Sequence, residues 1–141
     1  MTTPAVFVDT SAFYALADAH DAAHRVVRRR WGALIQQKRP LITTITVAAE
    51  TASLIRRWLG FDEAQGWLDQ LERARLVRAL ELVFVGEREY AVAREFFRQL
   101  ADPKLSFVDA LSFSVMRLRE VRNCLTLDDD FRQAGFELYE G

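Results

Sequence analysis

Ala5-Val6-Phe7-Val8-Asp9-Thr10-Ser11-Ala12-Phe13-Tyr14-Ala15-Leu16-Ala17 is the stretch that decides the fold class. Ala5 to Val8 is a short, continuously apolar, partly β-branched run, the pattern of a strand buried on both faces of a parallel sheet. It ends abruptly at Asp9. Thr10-Ser11 then offers a helix N-cap ahead of an apolar helical segment. A buried strand that runs straight into a helix opens a crossover connection, and ligands of α/β proteins collect at such strand ends.

The same alternation continues outward along the chain. A second helix is expected from about Asp21 to Gln37, with Val27, Trp31, Leu34 and Ile35 near helical spacing, and Pro40 stops it. Leu41-Ile42-Thr43 reads as a second strand, followed by a helix from about Thr46 to Leu59 that Gly60 closes. Another helix begins near Asp62 and carries Trp67, Leu68 and Leu71. Leu80 to Val85 forms a third strand, and Gly86 turns the chain into a helix in which Tyr90, Ala93, Phe97 and Leu100 predict one buried face. Asp102-Pro103 breaks that helix. Ser106 caps the next, which runs to about Glu120 with Val108, Leu111, Val115 and Leu118 inward. Cys124 to Leu127 is a fourth strand, and Phe136 to Leu138 a weaker, edge-like fifth. Strands separated by helices imply an α/β fold: three layers, α/β/α, around a mostly parallel sheet of four to five strands. With no linker or repeat, residues 1–141 are expected to form a single domain.

Composition narrows the function. Half the residues are apolar and 28% are charged, the balance of a soluble globular protein. No targeting signal is visible, no apolar run approaches the ~18 residues of a membrane span, and a cytoplasmic location is expected. The lone Cys124 excludes an internal disulfide and a cysteine-built zinc site. Net charge is −1, so the molecule as a whole exerts no strong pull on nucleic acid. Of 19 basic residues 17 are arginines, clustered at Arg28-Arg29-Arg30, Arg56-Arg57, and along Arg73, Arg75 and Arg78. Arginine forks suit phosphate, although a charge cluster on a helix is more often simply a solvated face.

The acids fall into a pattern. Asp9 follows the first strand, Glu50 lies about a turn into the helix after the second, Asp109 sits in the first turn of the helix capped by Ser106, and Asp128 follows the fourth strand with Asp129 and Asp130 beside it. Each has a structural explanation by itself. Asp9 could cap a helix, Ser106 to Asp109 resembles a capping box, and Asp128 to Asp130 could be a polar turn. Glu50 is harder to explain away, because it interrupts the apolar face of Val47, Ala48, Ala49, Leu54 and Ile55. Convergence of four carboxylates on one sheet edge raises each pKa and destabilises the fold unless a divalent cation is present. Magnesium or manganese, which take oxygen ligands, are the appropriate ions. His20 and His24 are expected on an exposed helix, and no Ser-His-Asp or Cys-His arrangement is suggested.

Val8-Asp9-Thr10-Ser11-Ala12-Phe13, the Glu50 helix, Ser106-Phe107-Val108-Asp109-Ala110 and Thr126-Leu127-Asp128-Asp129-Asp130-Phe131 resemble the four acidic motifs of PIN domains. Their order and spacing are similar to those of VapC toxins, over essentially the whole chain. The resemblance implies a Mg²⁺-dependent endoribonuclease (Mn²⁺ as a possible substitute), a homodimer, silenced by a cognate antitoxin. By position, Asp9, Glu50, Asp109 and Asp128 match the catalytic quartet, with Asp9, Asp109 and Asp128 as metal ligands. Ser11 and Thr126 match the supporting hydroxyls, and Asp130 stands as a supporting or additional acid. Arg28, Arg29 and Arg30 could add phosphate contacts to the RNA substrate.

Other α/β enzymes with acids at the sheet edge fit less well. A receiver domain needs a paired acid near its first strand and a lysine late in the chain, yet no lysine follows Lys104. A haloacid-dehalogenase-type phosphatase, or an exonuclease opening with Asp-x-Glu, needs an acid where Ser11 stands. A PIN-like module that binds RNA or protein without cleaving is the alternative of a different class, as is a PIN nuclease of RNA processing. Trp31, Trp58 and Trp67, in successive helices, are expected to contribute to a dimer or antitoxin groove.

Overall fold

A computed structural model describes residues 3–141. Val6–Val8 forms β1, with every side chain buried, as its unbroken apolar run requires. The helices that follow are α1 (Thr10–Ala17) and α2 (His24–Gln36); then come β2 (Leu41–Thr44), α3 (Ile45–Trp58), α4 (Phe61–Leu76) and β3 (Leu80–Val83). The second half comprises α5 (Glu87–Gln99), α6 (Phe107–Leu118), β4 (Asn123–Leu125), the single turn α7 (Asp130–Gln133) and β5 (Glu137–Leu138). The strands make one sheet in the order β3-β2-β1-β4-β5, and all four pairings are parallel. Helices flank this sheet in a three-layer α/β/α arrangement. β1 lies at the centre, so the chain leaves the middle of the sheet at Asp9.

On one side of β1, Phe7 packs on Phe131, and Phe131 meets Phe113 of α6 edge-on with ring centroids 4.8 Å apart. Elsewhere Phe13 of α1 bridges Trp31 of α2 and Trp67 of α4. α6 is the most enclosed helix, buried at every position from Ala110 to Met116. Burying each large apolar side chain of this kind contributes about 1.5–3 kcal/mol.

Three features depart from the sequence expectation. In α5 the buried residues are Ala93 and Phe96, while Tyr90 and Phe97 are 52% and 48% exposed. Both stripes satisfy helical spacing and share Ala93; the contact of Phe96 with Phe113, at 5.5 Å, selects between them. In α3 the buried stripe is Val47, Ala48, Thr51 and Ile55, so Ala49 and Glu50 lie on the exposed side and Glu50 does not interrupt the apolar face. Asp130 begins the short helix α7 and is buried, rather than lying in a polar turn.

Candidate active site

Asp9 is the N-cap of α1 in backbone conformation, yet its side chain makes no cap hydrogen bond. It turns instead to two hydroxyls. Ser11 Oγ and Thr126 Oγ1 both donate to Asp9 Oδ2, at 3.0 and 2.8 Å. The same hydroxyls accept from the backbone: Ser11 from Leu127 N–H at 2.9 Å, and Thr126 from Asp128 N–H at 3.0 Å. One network therefore ties the end of β1 to the loop after β4, across 117 residues of sequence. Asp9 is only 4% exposed. Burial raises its pKa above the ordinary carboxylate value, the Thr126 and Ser11 hydrogen bonds act against this, and the charge of Asp128 adds to the rise.

Asp109 reaches the site because Ser106 caps α6. Ser106 Oγ accepts from Asp109 N–H at 3.0 Å, which fixes the first turn and its third residue. Asp128 and Asp130 arrive from the loop after β4, where Asp128 Oδ1 accepts from Asp130 N–H at 2.9 Å. One carboxylate oxygen from each of Asp109, Asp128 and Asp130 lies within 4.8 Å of the others. Burial, then the charges of Asp9 and Asp128, push the Asp109 carboxyl up to about 8. Asp130 is held up to about 6 by burial, by a hydrogen bond with Asp102 and by the charge of Asp128. Such mutual elevation is the signature of carboxylates gathered without a countercharge. The donors are all hard oxygens at a spacing one cation can bridge, which fits Mg²⁺ or Mn²⁺ and does not fit a thiolate-seeking metal.

Asp9, Ser11, Asp109, Thr126, Asp128 and Asp130 are thus assembled at one end of the sheet. Both Asp128 and Asp130 take part in the three-acid group. Glu50 stands apart from that group, exposed on α3. Arg28 and Arg29 are exposed on α2, whereas Arg30 folds towards Glu140, 4.0 Å away. His20 is exposed; His24 is half-buried, its Nδ1 2.7 Å from the Ala15 carbonyl oxygen. Asp102 is the acid that sequence reasoning missed. It was visible only as half of a helix-breaking Asp-Pro pair, and nothing in the linear pattern places it beside Asp130.

Comparison with known proteins agrees with this geometry. The PIN-domain model matches residues 6–137. The chain belongs to the PIN-domain family. This PIN domain is 34% identical over 132 residues to the 23S rRNA-specific endonuclease VapC20 of Mycobacterium tuberculosis, a match covering 93% of this chain and 95% of that protein. The crystal structure of M. tuberculosis VapC20, a sarcin–ricin-loop-cleaving toxin, superposes with a TM-score of 0.80 at 33% identity over 93% and 95% of the two chains. VapBC2 from Rickettsia felis, bound to a DNA fragment from its promoter, matches at a TM-score of 0.69 and 16% identity, over 95% and 96% of the chains. FitAcB from Neisseria gonorrhoeae matches at 0.70 and 14%, with the same coverage. At those lower identities the likeness concerns the fold alone. Family membership sets aside the receiver, phosphatase and exonuclease alternatives.

Proposed function

We propose that this PIN domain is a divalent-metal-dependent endoribonuclease, the toxin of a toxin–antitoxin pair acting on cytoplasmic RNA. The observation that carries the proposal is the three-carboxylate group of Asp109, Asp128 and Asp130, with Asp9 buried and oriented beside it. The likeness to VapC20 supports RNA as the substrate class and makes a 23S rRNA loop the first target to test.

Asp109, Asp128 and Asp130 would hold the ion, with Asp9 as the adjoining ligand. When bound, Mg²⁺ or Mn²⁺ supplies a more acidic water and neutralises charge building on the phosphodiester. The chain's own residues do the positioning. Ser11 and Thr126 hold Asp9 in one orientation, and Thr126 simultaneously fixes the backbone of Asp128. Ser106 orients Asp109 through the helix cap. Glu50, exposed beyond the group, is the acid left to meet substrate or attacking water. Arg28 and Arg29 are free to contact flanking phosphates. Water attacks the phosphorus and the 3′ oxygen leaves, so the products carry a 5′-phosphate and a 3′-hydroxyl.

An antitoxin is the proposed partner, and a homodimer the proposed assembly. Trp58 is 64% exposed, and a cleft of about 220 Å³ opens beside Phe13, Trp31 and Trp67. Such apolar surface supports protein contact.

The test is incubation of the purified, partner-free chain with ribosomes, 23S rRNA and total tRNA in Mg²⁺ or Mn²⁺, with EDTA and Asp109→Asn as controls. Cleavage to 5′-phosphate ends that is lost in both controls is expected. Ends bearing 2′,3′-cyclic phosphate would reject water as the nucleophile. Binding without cleavage would make the chain a silent RNA-binding module.

A further inference from the structure

The cleft between α5 and α6 is built of a different chemistry from the acid site. Tyr90 and Phe97 stand about two helical turns apart on α5, both half-exposed. Phe107, the first residue of α6, lies between them, its ring centroid 6.0 Å from that of Tyr90 and 5.5 Å from that of Phe97. Both pairs meet edge to face, so no ring is covered by another lying flat on it. Together with Arg94, Glu95 and Arg98 the rings line a cavity of about 540 Å³. That volume falls within the roughly 300–1,000 Å³ of small-ligand sites.

Charge complements the rings. Glu95 is matched by Arg98 at 2.5 Å. Arg94, its guanidinium carbon 5.9 Å from the Tyr90 centroid, has no carboxylate partner among the described residues. Arg94 lies over Tyr90, which leaves the Phe97 and Phe107 faces for a base and a guanidinium without a carboxylate partner for its phosphate. A second copy seated here by a two-fold axis would set this net-positive patch against an identical one.

Position supplies the remaining argument. Phe107 precedes Asp109 by two residues, about 3 Å along the helix axis and about 200° around it. The cleft therefore lies on the other side of the first turn of α6 from Asp109, about the 10 Å width of the helix away. Ser106, directly before Phe107, holds the Asp109 amide and ties the two places rigidly together.

We infer that the α5–α6 cleft is a stacking subsite for one unpaired base of the same RNA, near the scissile phosphate but across α6 from it, with Arg94 pairing that nucleotide's phosphate. The inference rests on the ribonuclease proposed above and adds where, and in what form, the RNA is gripped. Bases inside a duplex have both faces covered, so the subsite selects a looped or single-stranded flank.

RNA hairpins that the wild type cleaves, carrying 2-aminopurine at successive loop positions next to the mapped cut, provide the test. They are titrated in Mg²⁺ with the Asp109→Asn chain, which cannot cleave them. Quenching of 2-aminopurine at one flanking position is expected. Tyr90→Ala combined with Phe97→Ala in that background abolishes the quench and weakens binding roughly ten- to a hundredfold, the worth of one stacked base. The same pair in the active chain raises KM for the hairpin and leaves kcat little changed. Arg94→Gln weakens binding while preserving the quench. Both rings are half-exposed, so these variants lower the melting temperature by only a few degrees and stay folded in the assay. Unaltered quenching and affinity in the double variant would overturn the inference. A change in sedimentation would do the same, by giving this face to a second copy. A wild-type chain that neither binds nor cleaves any RNA would sink the ribonuclease reading itself, before any variant is compared.

Discussion

A carboxylate as enclosed as Asp9 stays ionised only if other groups replace the water it has lost. Thr126 carries more of that task than Ser11, because its hydrogen bond to Asp9 is the shorter, 2.8 against 3.0 Å, and does more to lower the Asp9 pKa. Thr126→Val removes the hydroxyl at nearly constant volume. Since a hydrogen bond to a charged group is worth about 1.5–3 kcal/mol, kcat is expected to fall roughly ten- to a hundredfold with little change in KM. Thr126→Ser restores most of it. Wild-type kcat in the valine variant would show that Asp9 needs no such support. Asp109 makes a prediction about pH. Its folded pKa of about 8 lies above the ordinary 3.8, so between those values the folded chain keeps a proton that the unfolded chain has shed. Its contribution to stability is therefore greatest below about pH 4 and is lost as pH rises towards 8. In EDTA, Asp109→Asn should flatten that decline and melt a few degrees above wild type at pH 8, while abolishing cleavage. Parallel melting curves across pH would refute the elevated pKa.

Among the elements, α6 joins the candidate site to the core. Its cap residue Ser106 fixes the turn that presents Asp109, and its interior packs against Phe96 and Phe131. Ser106→Ala should cost about 1 kcal/mol of stability, or on the order of 3 °C for a chain of this size, and should also lower cleavage by loosening Asp109. Calorimetry and initial rates on one preparation test both halves; an unchanged rate would dissociate the cap from the site. Helix α5 shows where legibility ended. Tyr90, Ala93, Phe97 and Leu100 satisfy helical periodicity as well as the stripe that is actually buried, and the choice depends on Phe113, a residue remote in sequence. Phe96→Ala should accordingly destabilise by about 3–5 kcal/mol, against about 1 kcal/mol for the half-exposed Phe97→Ser. Near-equal effects would contradict the observed face. The β1–α1 junction was readable because an apolar run ending in an acid is local information. Glu50 was not: one residue of offset on α3 separates the buried stripe from solvent, and no local signal records it. Asp130 and Asp102 meet only through the folded path of the loops after β4 and before α6, so their proximity was invisible in the chain.

At the scale of the whole molecule, a net charge of −1 sets a condition on any RNA-binding function. A nuclease that relied on a broad basic surface would attract RNA with or without metal, and its affinity would fall steeply with salt. Here the end of the sheet that carries the candidate site presents a cluster of carboxylates, which repels phosphate in the absence of a cation. The cations proposed for RNA contacts are Arg28, Arg29 and Arg94, all exposed. Under the proposed function, recognition depends on metal, on stacking and on the shape of the RNA loop more than on long-range attraction. With about three phosphate contacts to single-stranded RNA, the slope of log affinity against log salt should be near −2. Replacing Mg²⁺ with EDTA should weaken binding by tenfold or more. Titrations of the Asp109→Asn and wild-type chains at several salt concentrations, with and without metal, measure both quantities. A slope steeper than about −5, or metal-independent binding, would mean that arginines elsewhere on the surface grip the RNA backbone, and that the carboxylate end contributes to cleavage alone.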